Sequence, residues 1–452
     1  MRTALVSVPT AALLALCLST AAHAQQLPRG PAQRGVNASA APDVWLATSE
    51  GFRQFEVISI SSNEALGQSA THLVSANVSD PDLNAEGLLG QAVMFGIRTG
   101  PRHFEQHYGV VRSASLRVRT GPDGDVSRVL DLDIASPLYL LATTDHDRVF
   151  EDRTREDVVR AVFAGYPGLG VRVEARLPAT RQTFVQHGED DLSFLRRLLD
   201  PEGVALLIGG DGQRAAVVLS DGRGRPRIAR RFGTDGFESL QLNRRLGAAM
   251  TVSRPPVDAG GAPRVLHSDG PVGAYGGSHI HVRLPGSVSD EGARRVLRGL
   301  HDRAGLVTLQ LAGGAQPRPG DVMRVEGHDD PELNRDYRVL SVSSGMSGDG
   351  TMQRYGTFVL APAARTFSGR EGVGRLRVGP ERVLVLSSPG GAARVGEHGR
   401  VRIRFGWGAA PDGTQPEMWV PFSGATPRAG AGYVTFEGGR ADAPVFVGSS
   451  PR

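Results

Sequence analysis

The chain has 452 residues, of which 59 are glycine and 29 are proline, and its formal net charge is +4. All 51 basic residues are arginine, which excludes catalysis through a Schiff-base lysine or a P-loop lysine. The single cysteine excludes an internal disulfide framework and a cysteine-built metal site. At about 150 residues per domain the length allows about three domains. The glycine and proline content favours short strands joined by tight turns over a helical bundle.

The N-terminus has the pattern of an export signal. Residues 1–24 combine a basic start, a short apolar run and the A-x-A cleavage site Ala22-His23-Ala24. The apolar run is too short to span a bilayer. We therefore expect a signal peptide over residues 1–24, a disordered leader over residues 25–42, and a secreted or periplasmic location. A lipoprotein signal at Cys17 and a misassigned start codon are the alternatives.

Short alternating runs begin near Val44 and predict strands. Apolar residues alternate with polar ones at Phe55 and Val57 and again at Ile58 and Ile60, so the apolar phase slips by one residue. A β-bulge at Val57 and Ile58 explains this slip, and burial on both faces of the strand would explain it too.

The following runs predict a strand over residues 94–97 and then a hairpin. The hairpin strands cover residues 110–118 and 129–134, and they flank the turn sequence Gly121-Pro122-Asp123-Gly124. In the second hairpin strand three apolar residues alternate with two aspartates, which predicts one buried face and one polar face.

Three segments have helical periodicity. In the first, Thr154 and Asp157 approximate a capping box before an apolar face. The second begins near Asp190 and is stopped by Gly203. The third covers about residues 290–304. The apolar faces of the first two consist of Val158, Val159, Val162 and Phe163, and of Leu192, Leu195, Leu198 and Leu199.

The rest of the chain alternates strands and turns. A hairpin is predicted over residues 204–219, and strands are predicted over residues 319–325 and 337–343. A linker over residues 366–381 precedes a final strand-rich block over residues 382–452.

Two histidine pairs have a spacing that metal sites use. His103 and His107 are four residues apart with Glu105 between them, but a zincin needs the pair on a helix with the glutamate one position earlier. Here the flanking residues predict a strand, on which residues four apart are about 13 Å distant. His279 and His281 share one strand face but lack a third ligand nearby. We therefore expect ordinary histidines and no metal site.

Two acidic clusters could supply paired carboxylates for general acid–base catalysis: Asp145-His146-Asp147 and Glu189-Asp190-Asp191. Each adjoins a predicted helix start, where acidic residues have a structural reason to occur. The sequence contains neither a nucleophile elbow nor the dinucleotide-binding glycine spacing. We therefore expect no catalytic residue and no cofactor-binding residue.

One arginine-rich run covers residues 223–231. We interpret it as a solvated loop between strands, with a phosphate-binding patch as the alternative. The other arginines are spread evenly among 47 acidic residues rather than gathered in one basic stripe, so we expect no nucleic-acid partner.

The second predicted helix carries a family resemblance. The segment RQTFVQHGEDDLSFLRRLLDPEGVALLI, residues 181–208, resembles the most characteristic stretch of the VgrG proteins, the spikes of type VI secretion systems, which are related to the hub and spike proteins of contractile phage tails. The residues that carry this match are Gln186, Glu189, Asp191, Leu192, Phe194, Leu195, Arg197, Leu198, Leu199, Glu202 and Gly203. Shorter motifs in family order extend the resemblance over about residues 43–452, among them Tyr108-Gly109-Val110-Val111, Pro319-Gly320-Asp321 and Gly399 to Trp407.

The resemblance implies a mainly β protein with a few short helices. It implies two hub subdomains of the β-barrel type over residues 43–365 and an OB-fold over residues 382–452. The stretch from Trp419 to Pro427 is shorter than in the family, so the OB-fold is expected to be shortened. No repeat indicates a β-helical needle, and no effector domain is expected.

The resemblance also implies a function. It indicates a non-enzymatic, homotrimeric spike or hub of a type VI secretion or related contractile injection system. Such a protein caps a tube of stacked rings, contacts baseplate components and carries effector cargo. It assembles in the cytoplasm and leaves through the apparatus, which conflicts with the signal peptide. The alternative is an exported periplasmic or surface protein that reuses the scaffold and binds a polymer through its OB-like block. A hydrolase that uses Asp145, Asp147 or Asp191 is a third hypothesis.

Overall fold

The computed structural model describes residues 44–48, 51–53, 56–100, 103–120, 126–210, 214–223, 227–232, 237–244, 249–254, 264–268, 279–283, 290–302, 305–312, 316–347, 353–363, 381–396, 399–407, 415–422, 426–436 and 444–449. The predicted signal peptide, the predicted leader, the turn at residues 121–124 and the linker up to residue 380 lie outside the described residues.

The described residues form strands, three α-helices and short 3₁₀ turns. The first strands are β1 (Val44–Thr48), β2 (Gly51–Arg53), β3 (Glu56–Ala65), β4 (Thr71–Asn77), β5 (Ala92–Gly100), β6 (His103–Thr120) and β7 (Val126–Ala135). The central segment contains β8 (Asp145–Arg153), α1 (Arg155–Phe163), β9 (Gly170–Val173), β10 (Gln182–Asp190), α2 (Asp191–Leu199), β11 (Ala205–Gly210) and β12 (Ala215–Ser220).

The following elements return to the first strands and then form a C-terminal block. They are β13 (Arg227–Arg231), β14 (Phe237–Arg244), β15 (Ala249–Arg254), β16 (Arg264–Ser268), β17 (His279–Arg283), α3 (Asp290–Asp302), β18 (Gly305–Ala312), β19 (Val322–Glu326), β20 (Asp336–Ser347) and β21 (Gln353–Pro362). The block contains β22 (Glu381–Val385), β23 (Val395–Gly396), β24 (Arg400–Phe405), β25 (Glu417–Pro421), β26 (Gly430–Phe436) and β27 (Pro444–Ser449).

The largest sheet joins the two ends of the hub region. Its strand order is β14-β18-β21-β20-β3-β4-β7-β6-β5-β1-β2, with β19 paired to β20 and β13 paired to β19. The β3–β20 pairing aligns Ala65 with Ser341, so a distant part of the chain completes the sheet. The prediction of a mainly β protein with a few short helices is confirmed. The described strands of this sheet follow an open path, without the closing strand pair that a barrel requires.

The predicted bulge and the predicted hairpin are both present. The register between β3 and β4 shifts between Val57 and Ser59, where the apolar pattern changes phase. Strands β6 and β7 pair antiparallel, and Leu130, Leu132 and Ile134 of β7 are buried while the aspartates between them face the other way.

The central segment packs α1 and α2 against strands on both sides. Strands β8 and β10 form an antiparallel ribbon, and β11, β12 and β9 form a second small sheet. The predicted apolar faces of both helices are buried in one core. Helix α2 ends at a 3₁₀ turn, Asp200–Glu202, and at Gly203, whose φ of 71° is the left-handed conformation that glycine adopts without strain.

A complete capping box starts α1. The Thr154 hydroxyl accepts a hydrogen bond from the Asp157 backbone N–H at 3.1 Å, and the Asp157 carboxylate accepts one from the Thr154 N–H at 3.0 Å. Thr154→Ala is expected to lower the free energy of unfolding by about 1 kcal/mol, because one N-terminal N–H loses its acceptor. Urea denaturation followed by circular dichroism measures this change. The exposed Thr180→Ala variant is the control, and an equal loss in both would contradict the cap.

The C-terminal block has its own small sheet and shares its core with the central ribbon. The strand order is β23-β24-β22-β26-β27, and β25 also pairs with β24. A bridge between Phe422 and Phe446 connects the chain after β25 to β27. The core contains Val383, Ile403 and other residues of the block, and also Val185 from β10.

Candidate functional site

The two acidic clusters lie side by side on the ribbon of β8 and β10. In the antiparallel register, Glu189 is opposite His146 and Asp190 is opposite Asp145. Asp145 is the first residue of a strand and α1 begins only at Arg155, so the expectation of a helix start next to Asp145 was wrong. The same expectation for the second cluster is confirmed, because α2 begins at Asp191.

Asp191 is completely buried and is held by several partners. The Gln186 side-chain amide donates to its Oδ1 at 2.8 Å, and the Tyr166 hydroxyl donates to its Oδ2 at 2.8 Å. Arg148 forms an ion pair with it at 3.2 Å. Burial and the Asp191 carboxylate raise the pKa of Tyr166, while burial and the charge of Arg148 lower the pKa of His146. This carboxylate joins the ribbon to α2 and to the chain that follows α1.

The neighbouring acids also have structural partners. The Asp190 carboxylate caps α2 by accepting hydrogen bonds from the Ser193 N–H at 2.7 Å and the Ser193 hydroxyl at 2.8 Å. Glu189 of β10 forms an ion pair with Arg197 of α2. The Arg197 guanidinium also donates a hydrogen bond to the Val185 carbonyl at 2.8 Å. The acids of the characteristic motif therefore hold the start of α2 on the ribbon.

Glu202, the last acid of the motif, lies between two arginines. Its carboxylate is 3.2 Å from Arg155 of α1 and 3.0 Å from Arg295 of α3. Both Glu202 and Arg155 are buried. This glutamate therefore links three helical elements that are distant in sequence.

A junction connects the ribbon with the C-terminal block. His187 of β10 is bonded through Nδ1 to Asp147 at 2.7 Å, lies 3.3 Å through Nε2 from Glu381 of β22, and stacks on Trp407 with ring centroids 4.5 Å apart. On the next strand Glu151 accepts two hydrogen bonds from Arg402, at 2.6 and 2.7 Å. These contacts and the shared core fix the block on the ribbon.

A second group of titratable residues lies in the largest sheet, with its two histidines buried. Glu64 of β3, His72 of β4 and His107 of β6 each have a potential ligand atom within 4.8 Å of those of the other two. Sequence spacing pairs His107 only with His103, on one strand. The three-dimensional partners come from other strands, and sequence spacing contains no signal for them.

The environment of these histidines keeps them neutral. Burial and the charge of Arg318 lower the pKa of His72 from 6.5 to about 3 and lower the pKa of His107 as well. Burial opposes ionisation of Glu105, but its hydrogen bond with His107 and the charges of Arg354 and Arg318 outweigh this effect and hold its pKa below the usual range. Arg354 donates to Glu105 at 2.7 Å.

A small cavity lies beside this group. Its volume is about 60 Å³, and its lining includes Glu64, His72, His107 and Arg318. By volume this is room for a few water-sized molecules.

The remaining candidates lie on strands outside the ribbon of β8 and β10. His103 lies on β6, and His279 and His281 lie on β17, but their side chains are outside what the structure describes. The arginine-rich run is not only a loop, because Arg227–Arg231 forms β13, which pairs in parallel with β19. No helix among the described residues has the length and apolar content that a membrane crossing requires.

Comparison with known proteins supports the resemblance over most of the chain. Residues 63–234 match the family described as the phage tail baseplate hub (GPD). The chain is 23% identical over 427 residues to the type VI secretion system spike protein VgrG1a of Pseudomonas aeruginosa. The alignment covers 83% of this chain and 64% of that relative, so the chain spans less than two thirds of its length.

Two solved structures share the fold. The first is the E. coli c3393 protein, described as a component of the type VI secretion system that is similar to the phage T4 tail proteins gp27 and gp5. It matches with a TM-score of 0.63 and 18% identity, over 88% of this chain and 97% of that one. A Francisella PdpA–VgrG complex matches with a TM-score of 0.57 and 7% identity, over 90% of this chain and 71% of that one. These matches confirm the resemblance to VgrG proteins that the motif around α2 indicates.

Proposed function

We propose that this chain, which resembles the VgrG proteins and contains a match to the phage tail baseplate hub family, is a non-enzymatic structural hub and spike component of a type VI secretion or related contractile injection system. The observation that carries the proposal is the fold match over 88% of the chain to a type VI secretion component. The structural use of the motif acids supports it, because Asp191, Glu189 and Glu202 hold elements together.

The mechanical role follows from the junction. A hub that caps a tube under contraction has to transmit force between its domains without separating them. Here the C-terminal block shares its core with the ribbon through Val185, and Nη1 of Arg402 forms an ion pair with both carboxylate oxygens of Glu151. We assign this block, from residue 382 to residue 452, as a shortened OB-fold that continues the hub region of residues 43–365.

A homotrimer is part of the proposal. The outer face of the block carries three exposed apolar side chains, Leu384 of β22, Tyr433 of β26 and Val447 of β27, and the exposed Arg382 opposite Tyr433. Their strands are neighbours in the sheet, and the alternate residues point into the core. Burial of these apolar side chains between copies of the chain stabilises an oligomer.

The trimer is tested by the mass of the protein in solution. Size-exclusion chromatography with light scattering is expected to give three times the mass of one chain. Leu384→Asp is expected to shift the protein towards monomer, because three charges would be buried at the interface. Leu89→Asp is the matched control, since Leu89 is also exposed but lies in the hub region next to a 3₁₀ turn. A monomeric wild type would contradict the proposal.

The partners follow from the same role. We propose that the hub region contacts the ring protein of the tube and baseplate components. A solved VgrG complex with PdpA shares this fold, and we propose that this chain likewise holds a bound partner, an effector carried as cargo. Pull-down of the full chain with purified ring protein tests the first contact, and absence of binding by a trimeric sample would contradict it.

The location follows from the way in which such a spike assembles. We propose assembly in the cytoplasm and export through the apparatus. The signal peptide remains a prediction from residues 1–24, and N-terminal sequencing of the native protein tests it. A mature start at Gln25 would instead favour the exported binding protein that reuses the scaffold.

A further inference from the structure

The group formed by Glu64, His72 and His107 has the composition of a transition-metal site. Two imidazole nitrogens and one carboxylate oxygen are a common protein ligand set for zinc. The three residues come from three strands of one sheet, β3, β4 and β6, and their potential ligand atoms all lie within 4.8 Å of one another. His107 Nδ1 and Glu64 Oε1 are 3.6 Å apart. Two ligand atoms on tetrahedral zinc are separated by about 3.3 Å.

Each histidine has one nitrogen engaged and the other available. His72 Nδ1 is 2.8 Å from the Ser62 hydroxyl, which leaves Nε2 for a ligand. His107 Nε2 is 3.2 Å from Glu105 Oε1, which leaves Nδ1 on the side of Glu64. A ring nitrogen held by a carboxylate or a hydroxyl while the other nitrogen binds the ion is the arrangement of metal-bound histidines.

Packing fixes both rings. His107 stacks on Phe95 with centroids 4.7 Å apart, and His72 meets the same phenylalanine edge-on at 5.1 Å. The two imidazoles are 5.2 Å apart. Because all three rings are buried, the histidines are positioned before any ligand binds, which reduces the entropy lost on binding.

Two carboxylates, of Glu64 and Glu105, and two guanidinium groups, of Arg318 and Arg354, surround the two imidazoles, so the formal charges there balance. Glu105 is neutralised by Arg318, whose Nε is 3.4 Å away, and by Arg354. Glu64 contacts the imidazole of His107, which this environment keeps neutral.

We propose that Glu64, His72 and His107 bind one zinc ion, with water from the adjoining cavity as the fourth ligand, and that the ion cross-links β3, β4 and β6. Ser62 and Glu105 are positioning residues that orient the two imidazoles. The site is structural, and it is independent of the role of the chain as a hub, because an exported binding protein with the same sheet could be cross-linked in the same way.

The experiment is a calorimetric zinc titration of the full chain after treatment with EDTA and removal of the chelator. We expect one equivalent of zinc per chain and a thermal midpoint that rises when zinc is added. Glu64→Gln, which changes one atom of a partly exposed side chain, is expected to weaken zinc affinity at least tenfold. Ser62→Ala is expected to weaken it by about 10- to 100-fold.

His187→Gln is the matched control, because His187 also lies between two carboxylates, Asp147 and Glu381, but far along the chain in the junction. Its zinc affinity and stoichiometry are expected to equal those of the wild type. The proposal is overturned if the wild type binds no stoichiometric zinc, if Glu64→Gln binds as tightly as the wild type, or if His187→Gln abolishes binding.

A measurement on the wild type alone covers the case in which a variant fails to fold. Co²⁺ added in place of zinc is expected to give the intense visible absorption of a four-coordinate site, and added zinc is expected to displace it. The weak absorption of hexahydrated Co²⁺ in the presence of folded protein would overturn the assignment.

Discussion

A Leu195→Asp variant is expected to lose about 4–5 kcal/mol of unfolding free energy. Leu195 is completely buried on α2, in the core that also contains Val158 of α1 and Phe184 of β10. An aspartate there has to be buried either as an unpaired charge or as an acid with no hydrogen-bond partner, and it also leaves part of the leucine volume empty. Such a cost is comparable with the whole stability of a small domain.

Urea denaturation followed by far-ultraviolet circular dichroism measures this loss. The Leu89→Asp control makes the same chemical change at a half-exposed position and is expected to cost less than about 0.5 kcal/mol. If Leu195→Asp unfolded at the same urea concentration as the wild type, the packing of α2 described above would be wrong.

Glu202→Gln is expected to cost about 3–5 kcal/mol. The substitution keeps the shape of the side chain but removes the negative charge between Arg155 and Arg295. Only 3% of the Arg155 side chain is exposed, so its charge cannot be solvated by water instead. The buried guanidinium of Arg155 therefore keeps its charge but loses the carboxylate that balances it.

Glu291→Gln is the control for this prediction, because Glu291 binds the same Arg295, at 2.7 Å, but is 73% exposed. Its loss is expected to stay below about 0.5 kcal/mol, since an exposed ion pair within one helix contributes little. Equal losses of unfolding free energy in the two variants would show that burial does not determine how much the Glu202 ion pairs stabilise the protein.

The local structure followed from short-range patterns. Thr154 and Asp157 predicted the start of α1, and the phase slip at Val57 predicted the bulge in β3, because caps and bulges depend on residues within a few positions of one another. The long-range pairing of β3 with β20 did not follow, since many strands in this chain have similar patterns and none specifies its partner.

The roles of the acidic residues needed the fold. Sequence alone presented Asp145-His146-Asp147 and Glu189-Asp190-Asp191 as two separate clusters, and a helix start was expected at both. The antiparallel register of β8 and β10 brings them together, and Asp191 receives partners from β8, β10 and the chain after α1. A catalytic and a structural carboxylate look alike until those partners are known.

By itself, the sequence determined the fold class, the apolar faces of α1 and α2, and the resemblance to VgrG proteins through the motif of residues 186–203. Periodicity and capping depend on residues within a few positions of one another, and a family motif is defined by the order and spacing of residues along the chain. Only the tertiary structure brought Glu64, His72 and His107 together and joined the C-terminal block to the ribbon through His187 and Glu151. Contacts of this kind depend on strand order and register, which are set by the packing of the whole sheet rather than by any local segment.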